Sequence, residues 1–143
     1  MGANGSEVVV FVTAATAEEA ERLGRIIVES RLAACANVLN GIRSIFRWEN
    51  KINVENECLM LIKTTLERYP ELEAVIRRHH SYTIPEIIAL PVIAGSAPYL
   101  EWVREEARNV NHLPRVHLLH LHGRQVFHEV RRVLLRIRDF LRV

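Results

Sequence analysis

An α+β sandwich, built from two interleaved β-α-β units in one antiparallel sheet with helices on one face, is the fold this sequence predicts. Three observations carry it. A short β-branched run at Val8–Val12 leads into an amphipathic segment with a helix-start signal. Two long apolar stretches then flank a turn near Asn50, and a second helical stripe is followed by a further apolar run at Glu86–Ile93. The order β-α-β, β-α-β is the split pattern of a ferredoxin-like sandwich. With 143 residues, of which 49% are hydrophobic, the chain is long enough for one domain with a real core.

Val8-Val9-Val10-Phe11-Val12 reads as a strand buried on both faces. Thr16 stands three residues before Glu19, a capping box, and Ala17, Ala20, Leu23, Gly24 and Ile27 recur at helical spacing, so helix one is expected to run to about Leu32. Ala34 to Asn37 and Ile42 to Trp48 form one long strand interrupted by a bulge or bend at Asn40-Gly41. Asn50-Lys51 is expected to turn the chain into a strand from Glu57 to Thr64, and arms this long protrude and find a partner. Helix two carries Pro70 in its first turn and Leu72, Val75, Ile76 and His79 on one stripe; Tyr82 and Pro85 end it. A third helix begins near Pro98 and turns Leu100, Val103 and Ala107 inward. Beyond Pro114 the sequence offers Val116–Leu121 as a short strand and Gln125–Leu141 as an amphipathic helix with a mostly Arg outer face.

Charge is unevenly placed. Residues 104–143 hold nine Arg against four acidic side chains, leaving residues 1–103 with a net charge of −3. The Arg-rich segment carries no groove-reading motif, so a solvated helix face is expected, with no nucleic-acid and no membrane partner. Two cysteines, Cys35 and Cys58, do not form the framework of a small secreted protein, and the run Val8–Val12 is too short for a signal core or a membrane span; a cytoplasmic location is expected.

Three strings carry a resemblance: Arg31-Leu32-Ala33-Ala34-Cys35-Ala36-Asn37, Ser44-Ile45-Phe46-Arg47-Trp48, and His80-Ser81-Tyr82-Thr83-Ile84-Pro85-Glu86-Ile87-Ile88-Ala89-Leu90-Pro91. Together with Tyr99-Leu100 and Trp102 they resemble the CutA divalent-cation tolerance family over roughly residues 7–108. The chain departs from that family's pattern with Ser81 where Pro is usual, Asn50 where Gly is usual, and Val12 where some members place a Cys near a supposed metal site. The resemblance implies residues 1–108 as a CutA-like domain and 109–143 as a C-terminal extension. It further implies a homotrimer similar to PII signalling proteins, in which hairpins pair across subunits and so satisfy exposed strand edges.

The same resemblance implies binding of Cu(II) or another divalent cation, with no obligatory cofactor. His79 and His80 are the adjacent imidazoles suited to such an ion. Neighbouring helical side chains point about 100° apart, so both meet one ion only where the helix frays. The other reading packs His79 on the apolar stripe and sets His80 at the helix C-terminal dipole. Cys35 is a soft ligand or a small core residue. Trp48, Lys63, Tyr82 and Glu86 match family positions around the clefts between subunits, where they either hold a small anionic or polar ligand or lock the trimer. In the tail His117, His120 and His122 are a weaker metal clip. No phosphate loop, Cys-x-x-Cys, His-Glu-x-x-His or nucleophile elbow occurs, and the chain is expected not to be an enzyme.

Overall fold

A computed structural model of the chain describes residues 6–112. Four strands and three helices follow in the order β1 (Glu7–Ala14), α1 (Ala17–Glu29), β2 (Cys35–Trp48), β3 (Lys51–Thr65), α2 (Tyr69–His79), β4 (Ile87–Pro91) and α3 (Ala97–Glu106), closed by a 3-10 turn at Val110–His112. The sheet order is β2-β3-β1-β4 and all three pairings are antiparallel. That is the ferredoxin-like arrangement: each β-α-β crossover leaves a gap that a strand of the other unit fills. The strand and helix expected at Val116–Leu121 and Gln125–Leu141 lie outside the described residues.

One face of the sheet makes the core. Val8, Val10, Val12 and Ala14 of β1 and Cys58, Met60 and Ile62 of β3 meet Ala20, Leu23 and Ile27 of α1 and Leu72 and Ile76 of α2. The alternation on β1 sends Glu7, Val9, Phe11 and Thr13 to the far face. Arg104 of α3 reaches Glu7 there, so α3 crosses to the far face while α1 and α2 share the near one. The expectation of helices on one face therefore holds for the first two helices and not for the third.

The local signals explain the ends of the elements. Thr16 accepts a hydrogen bond from the backbone N–H of Glu19 at 3.2 Å, which is half of the expected capping box; the Glu19 carboxylate turns instead to Ser81 Oγ at 3.0 Å. Helix α1 stops at Glu29 rather than Leu32 because Arg31 enters the left-handed region at φ 59. Leu32 N–H then bonds Ile27 O at 2.9 Å and Arg31 N–H bonds Val28 O at 3.1 Å, a Schellman closure with Leu32 buried beside it.

The hairpin is longer than expected. β3 begins at Lys51, not Glu57, and the two-residue turn is Glu49-Asn50, both left-handed at φ 50 and φ 61. Asn tolerates that conformation in place of Gly. The register breaks between Leu39 and Ile42, where Gly41 sits at φ 78. No atom lies within 4 Å of the place a Gly41 Cβ would take, so Gly41→Ala meets no clash and only backbone strain. We expect it to cost about 1 kcal/mol in denaturant unfolding. A loss near zero would show that the bulge re-forms elsewhere.

Candidate functional site

His80 follows the end of α2, where its backbone N–H caps the helix on Ile76 O at 2.8 Å. Its side chain is fully buried. Nε2 lies 2.8 Å from Thr13 O at the end of β1, and Nδ1 accepts the Tyr82 backbone N–H at 2.9 Å. A carbonyl can only accept and an N–H can only donate, so the imidazole is neutral with its proton on Nε2. The Glu19 carboxylate stands 3.7 Å from Nδ1, but a nitrogen already accepting from Tyr82 carries no proton to share with it. His80 thus ties α2, β1 and the following loop together.

Tyr82 continues the network. Its ring stacks at a tilt on His80, with centroids 4.9 Å apart, and its hydroxyl donates to Glu57 Oε2 at 2.9 Å. Burial, then the hydrogen bond to Glu57 and the charges of Glu57, Glu19 and Glu55, push the phenol up to about 12 from an ordinary 10. The unfolded phenol ionises first as pH rises, so this contribution to stability is complete below pH 10 and is lost as pH climbs through about 12. Phenolate absorbance followed against pH should therefore show one tyrosine titrating near pH 12 and lose that step in Tyr82→Phe. A step near pH 10 would mean that Tyr82 is solvated.

The other expected site residues are spread out. The His79 side chain is exposed and off the apolar stripe, and its carbonyl accepts from Arg22 Nη2 at 3.2 Å. Trp48 is 49% exposed at the hairpin tip, opposite Lys51. Lys63 is half-buried on the same strand as Lys51, about 40 Å away at roughly 3.3 Å per strand residue. Glu86 is exposed just before β4. Trp48, Lys63, Tyr82 and Glu86 do not converge within one chain. Cys35 is partly buried at the start of β2, its Cα opposite that of Lys63, and both side chains bond Asn37 Oδ1. Both cysteines are free thiols.

Among the described residues, no three His, Cys, Asp or Glu side chains come together as a metal-holding group. His79 and His80 do not form a pair: one imidazole faces solvent, and the other has both nitrogens committed to backbone groups. The described residues of one chain therefore do not present the donor set a tightly held Cu(II) or Zn(II) needs. His117, His120 and His122 lie outside the described residues.

The family model described as CutA1 divalent ion tolerance protein matches residues 8–106. The chain belongs to that family. The divalent-cation tolerance protein CutA of Thermus thermophilus is 42% identical over 99 residues, covering 69% of this chain and 96% of that protein. Protein CutA of Homo sapiens is 43% identical over 107 residues, covering 75% of this chain but only 60% of the human protein. Among solved structures, the Thermus thermophilus Cut A1 protein superposes with a TM-score of 0.69 at 42% identity, covering 70% of this chain and 97% of that one. CutA1 of Oryza sativa gives a TM-score of 0.71 at 38% identity, covering 73% and 95%.

The match covers the three quoted strings, so the recognition made on them stands, and the family's name speaks of ion tolerance rather than of a catalysed reaction. The compartments in the relatives' names differ. The Arabidopsis thaliana relative is called chloroplastic, and a solved Archaeoglobus fulgidus relative is called periplasmic. No helix among the described residues is long and apolar enough to cross a membrane.

The residue whose role the sequence hid is His80. Its partners Thr13 and Tyr82 lie on different elements, and helical periodicity says nothing about a side chain one residue beyond the helix. The Glu7 to Arg104 pair, joining β1 to α3, was equally out of reach.

Proposed function

We propose that the chain serves divalent-cation tolerance as a non-catalytic homotrimer that binds a divalent cation, Cu(II) foremost, in the cytoplasm. Membership of the CutA1 family is the observation that carries the reading. The trimer is supported by apolar surface on the hairpin: Ile45, Ile52 and Val54 are exposed on one side of it, and Phe46 and Trp48 on the other. The far face of the sheet adds Leu39, Ile88 and Leu90. A monomer rarely leaves so much contiguous apolar surface in water. The cytoplasmic location is supported by the two free thiols.

His79 is the first candidate ligand, because its imidazole is free to solvent. His80 joins only by giving up Thr13 or Tyr82. Arg77, Arg78 and Arg22 surround His79 with positive charge, so a cation held there needs carboxylates from a second copy. Calorimetric titration of Cu(II) and Zn(II) into the full chain, beside sedimentation to count subunits, tests this. We expect a trimer, and at least a tenfold loss of affinity in His79→Ala that is not reproduced when His112, His117, His120, His122 and His128 are replaced together. Affinity lost only with the tail histidines would sink the assignment.

A second reading, a PII-like sensor or scaffold with a small molecule in its intersubunit clefts, is supported by the separation of Trp48, Lys63, Tyr82 and Glu86. Side chains so far apart on one chain meet at a common ligand only between chains.

A further inference from the structure

We propose that Lys63, Asn37 and Tyr99 form a binding site for a small oxyanion, a carboxylate or phosphate compound, on the far face of the sheet. The argument starts from a charge without a counter-charge. Lys63 is half-buried, opposite Val9 of β1 and Cys35 of β2. Leu61 and Phe11, the next far-face neighbours along β3 and β1, are apolar. No carboxylate stands within ion-pair distance of Lys63 among the described residues. Glu7, the carboxylate buried on the same face two positions before Val9, is spent on Arg104, and Lys63 is not among the groups that lower its pKa. A partly desolvated ammonium without an anion is costly, and a site of that kind is completed by a ligand or a partner.

The neutral groups around it have the same bias. Asn37 Oδ1 accepts from both the Lys63 ammonium and the Cys35 thiol, the latter at 3.8 Å. With that oxygen turned to Lys63, the Asn37 amide presents its two N–H donors elsewhere. Tyr99, on α3 above Cys35, adds a hydroxyl; burial first and then the Cys35 sulfur raise its titration point, so it remains a donor throughout the neutral range. The cluster therefore holds the remaining ammonium donors, an amide N–H pair and a phenol able to donate, and its amide oxygen is occupied. Such a set fits the several lone pairs of an oxyanion and repels a metal ion. The inference rests on the small-molecule reading for its biological role and names the ligand class that reading leaves open.

The test is calorimetry of inorganic phosphate and of citrate with the metal-free full chain, its Lys63→Met and Lys63→Arg variants, and Arg78→Met as a surface-charge control. We expect saturable binding of at least one anion. It should weaken at least tenfold in Lys63→Met, recover largely in Lys63→Arg, and be unchanged in Arg78→Met. Preference between the two anions tells a phosphate site from a carboxylate site. No saturable binding of either anion, or equal weakening in Arg78→Met, would overturn the proposal. So would a Lys63→Met chain whose only change, seen by sedimentation, is weaker self-association, since Lys63 would then be matched by a carboxylate of a second copy. Calorimetry reads the site and sedimentation reads the assembly, so failure of one is told apart from failure of the other.

Discussion

His80→Ala is expected to lower stability by about 4 kcal/mol, the sum of two stranded backbone groups and a cavity. The imidazole is buried, and its removal leaves the Thr13 carbonyl and the Tyr82 N–H without partners. Neither finds water easily. Thr13 sits inside the β1 to β3 ladder, and Tyr82 is held over the site by its own hydroxyl bond to Glu57. His80→Gln, which restores one donor and one acceptor on a flexible stem, should recover about 1 to 2 kcal/mol of this loss. Denaturant midpoints at one fixed protein concentration are the measurement, because association shifts apparent stability. A loss below about 1 kcal/mol for the alanine variant would show that the loop after α2 settles without its anchor, and that His80 is freer to serve as a ligand than its contacts imply.

Much of this architecture was legible from local pattern, and the failures share one cause. Alternation and capping depend on near neighbours, so β1, α1, the bulge at Gly41 and the left-handed Asn50 were readable. The segment Lys51-Ile52-Asn53-Val54-Glu55-Asn56 has more polar than apolar residues and carries little strand signal of its own; it is a strand whose backbone is satisfied by β2 rather than by burial. Expected β4 was too long. The ladder with β1 spans Ile87–Pro91; the Val92 N–H still bonds Glu7 O at 3.1 Å, whereas Ile93 lies beyond the start of β1 and is almost fully exposed. The candidate site residues are chemically able groups whose spacing in the sequence carries no constellation. Spatial convergence depends on contacts such as Thr13 with His80, which no spacing rule encodes. The far face explains α3 similarly: its stripe of Leu100, Val103 and Ala107 announces burial without saying against which side of the sheet.

Arg104→Ala should cost about 3 kcal/mol near neutral pH, toward the lower end for breaking a buried pair because the Arg104 side chain is 40% exposed. Glu7 is 2% exposed, so the carboxylate left behind is almost dry. In the intact pair burial pushes the Glu7 carboxyl up, and the Arg104 hydrogen bond, a backbone hydrogen bond, the Arg104 charge and Ser6 together more than reverse this, leaving it below its ordinary 4.5. The sign of the pH effect follows. With the native value depressed, the unfolded chain takes the proton first, so the pair's contribution is complete above about pH 4.5 and drains away as pH falls through the lower native value. In Arg104→Ala burial is opposed only by the backbone hydrogen bond and by Ser6, so the native carboxyl rises from its depressed value. Protonation then costs the variant less than it costs the parent. The stability difference between the two proteins should therefore be greatest at neutral pH and shrink below pH 4.5. Adding Glu7→Gln to Arg104→Ala should remove the stranded charge and restore part of the loss at neutral pH. A parent and variant whose unfolding curves stay parallel from neutral to acid pH would show that the guanidinium contributes packing across the far face and no charge compensation.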